Sequence, residues 1–149
     1  DPATLPTGVG RGAAWTPKGE FLAIVHSSSP YVTIYQRVGT TFTKLADPAT
    51  LPTGIGFGAA WSPNGEFLAI VCITSPYVTI YQRARTTFTK LADPATLPTG
   101  DGREAAWSPN GEFLAIAHTT SPYVTIYQTS GNMQSNGFLK LIGVLREGT

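Results

Sequence analysis

The stretch WSPNGEFLAIVCITSPYVTIYQR, Trp61 to Arg83, is nearly repeated as WTPKGEFLAIVHSSSPYVTIYQR from Trp15 and as WSPNGEFLAIAHTTSPYVTIYQT from Trp107. The flanking sequence keeps the same step. DPATLPTG begins at Asp1, Asp47 and Asp93, a period of 46 residues. Self-similarity at such a period marks a repeat architecture, and 46 lies among the propeller-type repeats of about 40–50 residues.

Each unit reads as four short strands. GAAW (Gly12 to Trp15) is a small-residue strand, and TPKG or SPNG after it is a turn. Proline there presets φ and the closing glycine permits positive φ. EFLAIV (Glu20 to Val25) is a continuous apolar run suited to a strand covered on both faces. After a Ser/Thr-rich link ending at Pro30, YVTIYQ (Tyr31 to Gln36) is expected to put Val32 and Ile34 on one face and Tyr31, Thr33 and Tyr35 on the other. TFTKLA (Thr41 to Ala46) supplies a more polar fourth strand. DPATLPTG, with two prolines, connects units rather than pairing inside a sheet. No segment shows an apolar period of 3.6.

The expected fold is therefore all-β, a β-propeller with three four-stranded blades per chain: 1–46, 47–92 and 93–142, with a C-terminal extension at 143–149. In the third unit FLKL (Phe138 to Leu141) matches FTKL of the earlier fourth strands. AAWSPNGEFLAI followed by a strand ending TIYQ resembles a WD40-like propeller blade, over nearly the whole chain. It departs from that pattern in having Tyr35-Gln36 where a Trp-Asp pair would end the third strand, and in lacking a Gly-His pair before the first. The SPYVTIY-type units are also similar to repeats in phage and prophage structural proteins.

Propellers close at about four to eight blades. Three units leave two apolar sheet faces open, which invites association. A head-to-tail contact makes a ring when its rotation closes. The expected assembly is a six-bladed homodimer joined through blade 1 to blade 3 contacts.

Composition narrows the function. Charged residues are 13% of the 149 and the net charge is +1, so no basic field is present to hold nucleic acid. The longest apolar run, FLAIVCI from Phe67, is far short of the roughly 20 residues of a membrane helix. No basic segment with an apolar stretch opens the chain, which begins at Asp1. Cys72 is the single cysteine, so an intrachain disulfide is excluded.

The copies differ mainly in two places. One lies just before or at the first strand, at Val9/Ile55/Asp101, Arg11/Phe57/Arg103 and Gly12/Gly58/Glu104. The other lies between strands two and three, at His26/Cys72/His118, Ser27/Ile73/Thr119 and Ser28/Thr74/Thr120. In an up-and-down blade both places emerge on one face. A constant frame with a variable face suggests a binding surface of Arg11, His26, Ser28, Phe57, Cys72, Thr74, Asp101, Arg103, Glu104, His118 and Thr120. Its ligand would be a protein or a glycan.

Catalysis finds little purchase. His26, Cys72 and His118 are metal-type residues, but they occupy successive sheets about 10 Å apart, too far to share one ion. GVGRG and GIGFG lack the following helix that a phosphate loop needs, and read as sites of close approach near the axis. No cofactor is expected. The leading expectation is a non-catalytic scaffold or interaction module, a phage or virus structural component at a virion or extracellular surface. The alternative is a carbohydrate-binding propeller with Tyr31, Tyr77, Tyr123 and Trp15, Trp61, Trp107 near sugars. An enzyme using Asp101 and Glu104 ranks behind both.

Overall fold

The computed structural model describes residues 1–129 and the backbone of 141–144. Three antiparallel four-stranded sheets follow one another in chain order. The first is β1 (Gly10–Trp15), β2 (Phe21–His26), β3 (Val32–Val38) and β4 (Thr41–Lys44). The second is β5 (Gly56–Trp61), β6 (Phe67–Cys72), β7 (Val78–Ala84) and β8 (Thr87–Lys90). The third is β9 (Gly102–Trp107), β10 (Phe113–His118), β11 (Val124–Thr129) and β12 (Leu141–Val144). In each sheet the strands pair in sequence order, as a meander.

The β1–β2 turn forms as its residues dictate. Thr16 Oγ1 accepts from the N–H groups of Glu20 and Phe21, the Gly19 N–H donates to the Thr16 carbonyl at 2.8 Å, and Gly19 has φ 68°. The DPATLPTG segments are tied to their own sheets. Tyr35, Tyr81 and Tyr127 each donate a hydroxyl to the backbone carbonyl of Thr4, Thr50 and Thr96, all at 2.8 Å. Burial raises the pKa of all three phenols above the ordinary tyrosine value, so they stay donors.

Two expectations at strand ends are revised. Tyr31, Tyr77 and Tyr123 do not begin the third strand; they sit in the turn before it at φ 64–67°. In the third sheet the described fourth strand is Leu141–Val144, which runs into residues assigned to the extension; of the expected FLKL strand, residues 138–140 lie outside the described residues. It pairs Tyr127 with Val144 and Thr129 with Leu141. The rest of the extension, 145–149, lies outside the described residues.

The core lies between sheets. Phe21, Ala23, Val25, Val32 and Ile34 of the first sheet pack on Ala59, Trp61, Leu68, Ile70, Tyr81 and Phe88 of the second. The same positions recur one unit on: Phe67, Ala69, Val71, Val78 and Ile80 pack on Ala105, Leu114, Ile116 and Tyr127 of the third. The two faces of one strand therefore have different duties. Phe/Ala/Val positions meet the following sheet and Leu/Ile positions meet the preceding one. Every residue of β6 is buried, because the middle sheet has both neighbours.

Each junction is also pinned by tryptophan. Trp61 Nε1 donates to the Ala14 carbonyl at 3.1 Å, and Trp107 Nε1 to the Ala60 carbonyl at 3.2 Å. Trp15 has the same residue type at the same position but no preceding sheet. It is 47% exposed, against 7% for Trp61, and among the described residues its N–H has no acceptor.

Candidate functional site

The start of the first strand and the end of the second lie side by side, so the two variable stretches share one end of each sheet. Gly10 pairs with His26, Gly56 with Cys72 and Gly102 with His118, with a bulge beside each of the three pairs. The sequence-selected residues then separate into two groups.

The first group forms a row across the inner strands. The Arg11 guanidinium lies 5.1 Å from the centroid of the Phe57 ring and the Arg103 guanidinium 4.8 Å from it. One aromatic ring is thus flanked by cations from the two neighbouring sheets, an attraction of its quadrupole for positive charge. Arg103 Nη2 stands 3.9 Å from Asp101 Oδ2, a long and half-exposed pair. Glu104 is exposed, and its Oε1 accepts from the Ala105 N–H at 3.2 Å.

Close approach makes this row possible. A Cβ on Gly12 would sit 2.8 Å from the Phe57 carbonyl oxygen, and one on Gly58 would sit 2.9 Å from that of Arg103. Only glycine lets the inner strands come this near. The same holds one residue pair earlier. A Cβ on Gly56 would lie 2.7 Å from Val25 Cβ, and one on Gly102 2.7 Å from Val71 Cβ, whereas Gly10 has nothing within 4 Å.

The second group does not form an exposed face. His26 and His118 end their β2-type strands buried, with Nε2 3.0 Å from the hydroxyls of Thr33 and Thr125. Burial lowers the His26 pKa, against the opposing pull of the Ser28 backbone and Asp47. Cys72 is fully buried and donates to the Thr74 carbonyl at 3.2 Å. Its place opposite Thr79 leaves that threonine hydroxyl buried without a partner. Ser28, Thr74 and Thr120 are exposed, and their carbonyls close the turn to Tyr31, Tyr77 and Tyr123. The three polar strand ends are thus interior hydrogen-bonding positions, contrary to their expected display. Among the described residues no three or more His, Cys, Asp or Glu side chains gather as a metal site would require.

The aromatic set splits likewise. Trp61 is buried, Trp107 is half-buried, and both spend their N–H on a neighbouring sheet. Among the three tyrosines Tyr123 stands out at 64% exposure, on the uncovered face of the third sheet.

Sequence reading missed Arg83. It crosses to the first sheet, with its guanidinium 4.5 Å from the Phe21 centroid and hydrogen bonds to the carbonyls of Gly65 and Arg85. It lines a cleft of about 370 Å³ with Glu20, Phe21, Gln36, Arg37, Arg85 and Thr86. Arg37, its counterpart one unit earlier, makes the same type of backbone bonds, to Gly19 and Gly39, but faces no aromatic ring among the described residues. The arginine recurring at the end of YQR was the available signal.

No protein-family model and no curated protein sequence matches the chain. Solved structures do. A protein of Bacteroides fragilis, provisionally named a 6-phosphogluconolactonase, superposes with a TM-score of 0.75 at 19% identity, over 93% of this chain and 39% of that one. A protein of Bacteroides uniformis with the same provisional name gives 0.68 at 16%, over 96% and 44%. Sqt1 of Saccharomyces cerevisiae, a WD40 protein, gives 0.71 at 10%, over 93% and 35%. The class is thereby defined: three sheets in the blade arrangement of a β-propeller. The chain spans less than half the length of each of these structures.

These likenesses correct the expected function. A non-catalytic scaffold, and the assignment as no enzyme, were expected from the sparse chemistry of the repeats; yet two propellers of this arrangement bear the name of an enzyme. The virion and carbohydrate-binding roles have no support in the fold or the comparisons.

Proposed function

We propose that the chain is half of an enzyme-type propeller of WD40-like blades. Two copies close a six-bladed ring, and an anionic sugar lactone is hydrolysed beside the axis. The observation that carries the chemistry is the Arg11–Phe57–Arg103 row with Asp101 against it. With each guanidinium carbon over the ring, its N–H groups can grip a phosphate or carboxylate in bidentate fashion, those of Arg103 beside Asp101. Asp101 is the acceptor for a proton. Water attacks the lactone carbonyl carbon as its proton passes to the carboxylate. The ring C–O bond then breaks, and the departing oxygen takes that proton to give the hydroxy acid. The provisional names of the two Bacteroides structures support a phosphorylated sugar lactone as the first substrate to try.

Ring closure is supported by unused contacts on the two flanks. Trp15, Leu22, Ile24 and Arg37 face outward on the first sheet. Phe113, Ala115, Val124 and Ile126 do so on the third, where Val124 is 44% exposed against 0% for Val32 and Val78. These are the same two surfaces that meet at both internal junctions. A head-to-tail copy covers them with the same pair of faces that already meets twice inside the chain.

The test is acid release from 6-phosphogluconolactone, with spontaneous hydrolysis subtracted, on protein whose mass is measured by light scattering. Acceleration that falls at least tenfold in Arg11→Ala/Arg103→Ala, on particles of twice the 15.8 kDa chain mass, is expected. A closed ring with no acceleration refutes the lactonase. A monodisperse single chain refutes the ring.

A further inference from the structure

We infer that Glu104 is the residue that makes the closing junction different from the internal ones. It does so by pairing across the junction with Arg11 of the partner subunit. The inference rests on the ring closure proposed above.

Glu104 takes the place of a glycine. In units one and two this position is Gly12 and Gly58, and the next sheet's carbonyl lies 2.8 and 2.9 Å from where a Cβ would be. Repeating that geometry at the third sheet would drive the Glu104 Cβ into the carbonyl of Arg11 of the partner subunit. Ordinary van der Waals contact needs about 3.5 Å or a little less, so the closing junction stands open by roughly half an ångström at this point. The side chain that opens it is an exposed carboxylate that, in the single chain, turns back toward the second sheet: its Oε1 accepts from the Ala105 N–H at 3.2 Å and stands 2.9 Å from where a Gly58 Cβ would be, so pairing across the junction requires it to rotate outward.

Charge explains why a carboxylate is tolerated there. Around a closed ring the row reads Arg11, Phe57, Arg103 and then Arg11 of the partner subunit. Each internal arginine has the Phe57 ring beside it, but at the junction two guanidiniums become neighbours. Asp101 offsets Arg103 at 3.9 Å. The partner's Arg11 has no carboxylate within its own first unit's inner strand, GRGAAW. Glu104 occupies the strand position that meets the next sheet's Arg11-type carbonyl at the internal junctions, and it supplies one. The pair also selects what can dock. The exposed third-sheet face receives a first sheet carrying Arg11, while a face with aromatic Phe57 at that position gains nothing from the carboxylate.

Charge reversal with rescue tests this. Dimer dissociation is measured by sedimentation for the full chain and for Glu104→Arg, Arg11→Glu and the double variant, at low and high salt. Each single reversal is expected to raise Kd about tenfold or more, and the double variant to recover most of the loss, with the wild-type Kd rising with salt. A wild-type dimer indifferent to either reversal, or a double variant no better than the singles, overturns the pair and leaves the ring intact. A wild type that is monomeric throughout overturns the ring and the pair together. Circular dichroism of each variant separates lost docking from lost folding, and Glu104→Gln, which keeps the shape without the charge, is expected to fold normally and dock more weakly.

Discussion

Substituting Gly10 with valine tests the proposed ring, because it separates the stability of the chain from that of the assembly. In one chain a Cβ at Gly10 meets nothing within 4 Å, so the larger side chain is accommodated, and a β-branched residue suits a strand. At the two internal junctions the equivalent Cβ would stand 2.7 Å from the Cβ of Val25 or Val71. Ala117, their counterpart in the third sheet, keeps that Cβ. In the proposed ring, even with the junction opened by about half an ångström, the introduced Cβ would meet Ala117 of the partner subunit roughly half an ångström inside normal contact, and its methyls would crowd further. Overpacking of this kind costs about 1–3 kcal/mol, a rise in dimer Kd of about five- to 150-fold. The assay is sedimentation equilibrium over a concentration series, paired with urea unfolding of the dilute monomer. Unchanged monomer stability with weakened dimerisation is expected for Gly10→Val. An unaltered dimer would refute head-to-tail closure through these faces, because no other role for a glycine at position 10 is evident from its surroundings.

Four further outcomes follow from the same geometry. Trp15→Ala should weaken the dimer while sparing most of the chain's stability, whereas Trp61→Ala, removing a buried ring and its bond to Ala14, should cost about 3–5 kcal/mol in chemical denaturation. Cys72→His should give the Thr79 hydroxyl the partner that Thr33 and Thr125 already have, raising Tm by about 2–4 °C; a fall in Tm would show that the middle sheet lacks room for the ring. The lowered His26 pKa means the unfolded chain binds the proton more readily. Stability is therefore full above the ordinary imidazole value of 6.5 and falls as pH drops from there through the folded value. His26→Gln should flatten that part of the pH profile. Arg83→Ala should destabilise the chain by about 0.5–2 kcal/mol through loss of its stack on Phe21, an effect absent in monomeric Arg37→Ala, as thermal melts of both would reveal.

Strand order, turn positions and the blade arrangement were legible because they depend on local chemistry. An apolar run of five or more, a Thr/Ser-Pro-x-Gly turn and a two-proline connector each have one comfortable conformation, and the 46-residue period multiplies the signal threefold. The polar strand ends were not legible. His26, Cys72 and His118 looked like loop residues, since nothing in their own neighbourhood announces that Thr33 and Thr125 wait on the adjacent strand to bond the histidines. The Arg11, Phe57 and Arg103 positions were visible as differences between copies. Their stacking was not, because it arises between residues 46 apart that only the sheet-to-sheet packing brings together. The proposed site was hidden for a related reason: near-identical repeats look inert, while the few residues that break the repetition sit side by side only in three dimensions.

The division of labour between the two faces of each second strand has a consequence for how such chains change length. Phe21, Ala23 and Val25 look forward to the next unit, and Leu22 and Ile24 look back. Inserting or deleting a whole unit by unequal recombination therefore leaves the leading and trailing surfaces chemically the same. Chains built this way can gain or shed units while reusing one apolar contact between successive sheets, leaving only the residues that break the repetition, such as Glu104, to tell one end from another.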